Sequence, residues 1–460
     1  MQKRFLCWCG ILLAIGAGEA GAADIVVTRL DDPTPAACLP TDCSLREAVI
    51  AANALPGPDR ILLPSGILQL TITNTLPNPG ATQGDLDLTD EVEIDGVSAA
   101  STSIVAENSD RIFSLISNVK VTLRRMTLGG GQSGFGGAIN LYDGTLTIED
   151  AIIGNNFASG EGGAIRSNSN YEMTLRRVQI INNIATGNGG AIESGTGGVL
   201  VVDSTISGNK GANGGAIHGY AARVYRSVIQ NNTASGNGGG IHGVAGCSCT
   251  AIEIHESTLA DNGAVQGGGV WASPPLDVEL STFSGNTASS VGGAAFTTTT
   301  GGGNSGDGFH FYSSTLYGNT AGGGSAIYFY DDSSGLGMPP DFQNTLISGT
   351  CAQSGAGPGT FYALLGNVES PGNTCQLGLF STANVPAANL KLGALGDNGG
   401  PTPTHLPLAG SALIDAGWPY VCTGLDQRGY ARADGNAYCD TGAVEAGALD
   451  DVIFRDSFDL

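Results

Sequence analysis

Positive charge is scarce in this chain of 460 residues. It has 19 lysines and arginines against 42 acids, for a formal net charge of -23. A surface that neutralises phosphates needs clustered bases, so nucleic acid is excluded as a natural partner. Charge of either sign is thin, at 13% of residues, about half the usual ~25%. Aromatics are few, at 6%, which predicts a narrow core of aliphatic side chains. Beyond the first two dozen residues no apolar run approaches the ~18 that a membrane helix needs. No Gly-x-Ser-x-Gly elbow, His-Glu-x-x-His pair or phosphate-binding loop occurs, so the commonest hydrolase and nucleotide chemistries have no motif here. Glycine, by contrast, is abundant, with 73 residues and no every-third period. That excludes collagen, and a hydrophobic fraction of 41% excludes a disordered linker.

The N-terminus carries an address. Lys3 and Arg4 precede an apolar run from Phe5 to Ala17, followed by small residues at Ala20, Gly21, Ala22 and Ala23. This pattern predicts a signal peptide over residues 1–23 and an exported mature chain. Export makes the eight remaining cysteines candidates for disulfides. The expected pairs are Cys38–Cys43, Cys351–Cys375 and Cys422–Cys439. Cys247 and Cys249 would close a very tight ring, and their redox state is left open.

A repeat marks the middle of the chain. Gly-Gly-Ala-Ile or a close variant begins at Gly136, Gly162, Gly189, Gly214, Gly238, Gly267, Gly292 and Gly324. An asparagine stands five or six residues before seven of these sites: Asn156, Asn183, Asn209, Asn232, Asn262, Asn286 and Asn319. Apolar residues recur ten, eight and three positions before each asparagine, and a small residue, usually serine, recurs five before it. Steps of two are strand periodicity, and the step of three between positions eight and five before it marks a bend. A mixed strand-and-glycine repeat means a solenoid. The predicted fold is all-β: a right-handed single-stranded parallel β-helix with coils of about 24–32 residues and a short N-terminal capping helix. Stacked coils would place the asparagines in a ladder that passes amide hydrogen bonds along the axis.

Two outward columns carry chemistry. Six residues before the asparagine the series reads Arg125, Asp150, Arg177, Asp203, Arg226, Glu256. This is an opposite-charge ladder or, on a functional reading, an active stripe. One column over, Tyr225, His255 and Tyr312 suit the pyranose rings of a sugar chain, or belong to an ordinary exposed sheet face. His218 and His242 stand in adjacent coils, too few ligands for a metal site. The acid-rich stretch Asp85, Asp87, Asp90, Glu91, Glu93, Asp95 lacks EF-hand spacing, which leaves calcium as the one possible cation. No catalytic residues and no other cofactor are expected.

Solenoid ends need covers. Ser44 followed by Leu45-Arg46-Glu47-Ala48-Val49-Ile50-Ala51-Ala52-Asn53 predicts an N-capped helix over residues 45–53, laid across the first coil. Cys43 to Ala48 reads CSLREA. Over about residues 25–53 the chain resembles the family of exported bacterial β-helix proteins that bears this motif. Residues 360–446 resemble a choice-of-anchor Q region, through Asp397-Asn398-Gly399-Gly400-Pro401-Thr402-Pro403-Thr404-His405, Gly410 to Gly417, Asp426-Gln427-Arg428-Gly429 and Cys439 to Glu445. The Gly-Gly-Ala-Ile turns and Phe283-Ser284-Gly285-Asn286 resemble the repeats of polymorphic outer-membrane proteins. These resemblances imply a secreted or surface location.

The expected organisation is a signal peptide (1–23), an N-terminal cap (24–84), a β-helix (85–360), a choice-of-anchor Q-like region (361–446) and an acidic, aromatic tail (447–460). The expected function is non-catalytic: adhesion, or binding of a polysaccharide or host-surface glycan by a monomer. A β-helix polysaccharide lyase or glycoside hydrolase is the alternative. Carboxylates converging in a groove would favour the enzyme, and a flat ladder-like face would favour binding.

Overall fold

The structure is a computed structural model. It describes residues 22–447 apart from 76–79, 108–109, 245–250, 274, 300–307, 332–338, 356–360, 423 and 433–437. The expected signal peptide, Cys247 and Cys249, and the terminal tail lie essentially outside the described residues.

The chain is a parallel β-solenoid. Its strands fall into assemblies of 22, 12 and 7 strands, and the twelve-stranded sheet takes one strand from each coil. Stacking follows the sequence columns in register. Leu175 pairs with Val201, Val201 with Val224, Val224 with Ile254, Ile254 with Val278, and Val278 with Phe311. All are buried in one core that runs from Ile25 to Leu377. Parallel pairing already begins at Asp24–Val26 and continues to Val368–Ser370, beyond the 85–360 span that the repeats outline. The early coils lack the asparagine and the paired glycines. Their strands alternate inward and outward, as Asp59–Leu62 does, without marking a period.

Each repeat coil turns three corners, all in the left-handed region. The first column is Asp150, Arg177, Asp203, Arg226, Glu256, the second Asn155, Asn182, Gly208, Asn231, Asp261, and the third the first glycine of each pair. The second glycine answers a different demand. A Cβ at Gly190 would overlap the carbonyl oxygen of Gly215 in the next coil. Gly190→Ala is therefore expected to cost about 1–3 kcal/mol through overpacking. Gly263→Ala, where a Cβ meets nothing within 4 Å, should cost nothing. Urea unfolding of the two variants checks the contrast, and equal midpoints would refute it.

Polar ladders line the interior. The Oδ1 of each asparagine accepts from the backbone N–H and the Nδ2 of the asparagine one coil earlier. Asn183 N and Nδ2 to Asn209 Oδ1 are 2.9 and 3.0 Å, and the series runs from Asn156 to Asn319. A second ladder joins Ser204, Ser227, Ser257, Ser281 and Ser314. Each backbone N–H donates to the next hydroxyl, at 3.0 to 3.2 Å.

The outward charge column bonds across the coils, each arginine reaching one coil back: Arg125 to Asp95, Arg177 to Asp150 and Arg226 to Asp203. Each arginine engages both carboxylate oxygens, and Asp95 also takes Arg60 from the coil on its other side, at 2.6 Å.

The helix α1, Leu45–Ala54, covers the first coils, with Ser44 as N-cap and a reciprocal capping box with Glu47. The structure closes the three disulfides Cys38–Cys43, Cys351–Cys375 and Cys422–Cys439. Residues 385–447 carry little regular structure and run back along the outside of the twelve-stranded sheet. Gln427 Nε2 bonds Ser257 O and Thr258 Oγ1, Thr282 Oγ1 bonds Gln427 Oε1, and Ala443 N bonds Thr315 Oγ1. Thr258, Thr282 and Thr315, outward on their strands, are buried beneath this strap.

Candidate functional site

Alternation along a strand puts residues i and i+2 on one face. Tyr225, His255 and Tyr312 therefore share their outward face with the residues two positions earlier. Register aligns Arg223, Glu253, Asp277, His310 and Asp341 in one column, and Tyr225, His255, Glu279, Tyr312 and Gln343 in the next. The first column was visible in the sequence only through this step of two.

The strip is internally bonded. Tyr225 donates to Glu253 Oε2 at 2.6 Å, and its ring stands 5.2 Å from His255. His255 lies between Asp277 at 3.6 Å and Glu279 at 3.7 Å. His310 Nδ1 meets Asp341 Oδ1 at 2.8 Å, and the Tyr312 hydroxyl sits 3.2 Å from His310 Nδ1 and 3.4 Å from Asp341 Oδ2. Burial opposes a charge on His255, but Asp277, Glu279 and Glu253 outweigh it and raise its pKa. Burial and the Asp341 carboxylate push Tyr312 up to about 12. Burial and Glu253 raise Tyr225 as well. Both tyrosines are thereby held as hydrogen-bond donors.

Two cavities open along the strip and share His255 and Glu256. One, of about 250 Å³, is lined by Tyr225 and His255 with Arg176, Leu200, Val202, Arg223 and Arg226. The other, of about 440 Å³, lies between the solenoid and the strap. His255, Glu279, Tyr312 and Gln343 form one wall, and Tyr420, Val421, Leu425 and Arg432 the other. Of the three sequence-predicted residues, His255 lines both cavities, Tyr225 the first and Tyr312 the second. Tyr420 and Arg432 were not foreseen, because the strap has no repeat to reveal what it packs against. Arg432 is buried, and its two Nη atoms donate to Gly442 O and Asp440 O.

The other candidates have structural partners. His218 and His242 do stack, at 4.9 Å, and the column continues through Trp271 at 4.4 Å, Phe296 at 5.7 Å and Tyr328 at 5.5 Å. The inner rings of this column are faced on both sides by their neighbours. Burial, then the neighbouring His218, drops His242 to about 3. In the acid-rich stretch, Glu93 meets Arg60 and Arg124, Asp95 meets Arg60 and Arg125, and Asp85 accepts from Ser114. Burial, then Asp85, raises Asp87 to about 6. Among the described residues no three His, Cys, Asp or Glu side chains are grouped to hold a metal ion, and no helix is long and apolar enough to cross a membrane.

Residues 226–244, one coil of the solenoid, match a family model described as the Chlamydia polymorphic membrane protein repeat. No curated protein matches. Two solved structures from Azotobacter vinelandii resemble the chain, each at 14% identity. The mannuronan C-5 epimerase AlgE4 A-module aligns over 79% of this chain and 100% of its own, with a TM-score of 0.34. The AlgE6 A-module aligns over 71% and 96%, with a TM-score of 0.32.

Proposed function

We propose that this is an exported, surface-located β-helix protein that binds a neutral or amino-sugar polysaccharide along the Tyr225–His255–Tyr312 strip, in an adhesive rather than catalytic role. The groove between the strip and the strap carries this reading. It offers tyrosine hydroxyls, the Gln343 amide and carboxylates, which pair with sugar hydroxyls in a cleft sized for a few rings. Its charge decides the class of sugar. Glu253, Asp277, Glu279 and Asp341 crowd the strip, while Arg223 is committed to Glu172 and Arg432 is turned into the strap. A polyuronate would meet like charge there. The signal-like N-terminus, the CSLREA segment, the choice-of-anchor Q-like strap and the disulfides support an exported protein.

Affinity electrophoresis in gels cast with xylan, mannan, chitosan or pectate tests the reading. The neutral or amino-sugar gels should retard the protein and pectate should not. Each hydrogen bond that Tyr312→Phe or His255→Ala removes should weaken binding by about tenfold, corresponding to ~1.4 kcal/mol. Retardation by pectate alone, or by nothing, would overturn the proposal.

Acid–base cleavage of the same glycan is the second reading. It is favoured by carboxylates and histidines converging on one strip, above all by Tyr312, His310 and Asp341 in mutual contact. Release of reducing or unsaturated ends by the purified protein, abolished in Asp341→Asn, would establish it in place of the first.

A further inference from the structure

We infer that the groove continues into an aromatic platform made by Tyr420, Trp418 and Phe380, on which a further unit of the same glycan stacks; this rests on the polysaccharide reading. Three observations lead there. First, the rings are contiguous. Phe380 and Trp418 lie 4.9 Å apart, and Trp418 and Tyr420 5.9 Å apart. Second, the two outer rings are open to solvent, with the half-buried Trp418 between them. Tyr420 is 83% exposed, Phe380 64% and the adjoining Leu379 83%. Single exposed hydrophobics are ordinary, whereas a contiguous patch marks a contact surface. Third, the patch extends the strip along the solenoid axis. Tyr420 is itself a wall of the groove. Trp418 N donates at 2.7 Å to the side chain of Asn344, the neighbour of Gln343 at the far end of the strip. Gly366 N donates at 2.9 Å to Phe380 O one coil further on.

The presentation is fixed rather than incidental. Tyr420 rides on the short turn Pro419–Val421. That turn is held on one side by the Asn344 contact and on the other by the Cys422–Cys439 bond. Phe380 takes φ +66°, a conformation that costs a bulky residue and persists only where its surroundings impose it. The occupant follows from chemistry. The platform carries no charged side chain, so it suits the apolar ring face of a neutral sugar. The groove beside it supplies the polar half of the recognition. From Tyr225 to Gln343 the strip rises through four coil steps, roughly 19 Å at ~4.8 Å each, so the platform lies at the end of a track several sugars long.

Titration with trimers and hexamers of β-1,4-linked glucose, xylose, mannose and N-acetylglucosamine, followed by calorimetry and tryptophan emission, tests this. In the wild type the hexamer of the preferred sugar should bind more tightly than its trimer and shift the emission. Phe380→Ala should erase about tenfold of hexamer affinity and leave the trimer unchanged, whereas Tyr420→Ala, which also removes part of the groove wall, should weaken both. Tyr312→Phe should weaken both. A hexamer affinity unmoved in Phe380→Ala, while Tyr312→Phe still weakens binding, overturns the platform and spares the groove. Absence of wild-type binding to any probe overturns both. A wild-type dimer that Tyr420→Ala dissociates, with hexamer affinity unchanged, assigns the patch to a second copy and overturns the proposal.

Discussion

Arg46→Ala is expected to lower stability by about 3–5 kcal/mol, the cost of stranding a buried charge. Arg46 is fully buried in α1, and all three guanidinium nitrogens donate. Nε and Nη2 grip the two oxygens of Asp32 at 2.7 and 3.0 Å, while Nη1 and Nη2 donate to Ala81 O and Gly84 O at 2.9 Å. Asp32 also accepts from Thr71 N and Ile72 N. One ion pair therefore ties the capping helix to three separate segments. Arg46→Lys should lose nearly as much, because an ammonium cannot reproduce the fork. Arg46→Met with Asp32→Leu should recover part of the loss and not all, since Thr71 and Ile72 would still lose their acceptor. Urea unfolding measures all three. An alanine variant within ~1 kcal/mol of wild type would show that the pair does not hold the cap.

The same helix shows how six consecutive residues, Cys43 to Ala48, divide the work of the cap. Cys43 closes onto Cys38, Ser44 and Glu47 cap each other's backbone, Leu45 and Ala48 enter the core, and Arg46 pairs with Asp32. Four different physical demands fall on six adjacent positions. The strap obeys a similar logic. Asp426 accepts from Arg428 N, Tyr430 N and Glu445 N and pairs with the Arg428 guanidinium, while Asn398 Nδ2 bonds Thr404 O. The residues that carry the choice-of-anchor Q resemblance are thus the knots of an irregular segment.

What the sequence made legible follows from stacking. A parallel solenoid sets like beside like at every coil, so Asn156 to Asn319 and Ser204 to Ser314 could be placed without coordinates. Left-handed corners at Arg177 or Glu256 escaped notice because nothing in those side chains announces such a backbone. The charge column was legible as a column of alternating sign, whose arginines bond the acids stacked beside them. Spacing along the axis fixes which residues are neighbours, and the fork of an arginine decides which neighbour it takes. Part of one wall of the groove was legible, in His255 and Tyr312. Its other wall comes from a strap more than a hundred residues away in sequence, whose path depends on contacts such as Gln427 with Ser257 that no periodicity encodes.

Asn209→Ala should cost about 2–4 kcal/mol, because it removes hydrogen bonds from buried groups in three coils and leaves a small cavity. Asn183 loses the acceptor for both its backbone N–H and its Nδ2. Ile180 O and Ser207 O lose a donor at 3.0 and 3.1 Å, and Asn232 Oδ1 loses the Nδ2 that reached it at 3.0 Å. The site is fully buried, so water cannot substitute without opening the corner. Asn209→Asp should fare no better. It keeps an acceptor for Asn183 but supplies no donor to Ile180 O and sets a charge beside Asn232 Oδ1. Because each coil touches only its neighbours, the damage should be local. Amide hydrogen exchange should quicken most at Asn183, its acceptor gone, then in the flanking coils, while α1 and the strap keep their protection. Uniform loss of protection along the chain would mean that the solenoid unfolds as one unit. An unchanged exchange rate at Asn183 would mean that the ladder does not carry the stack.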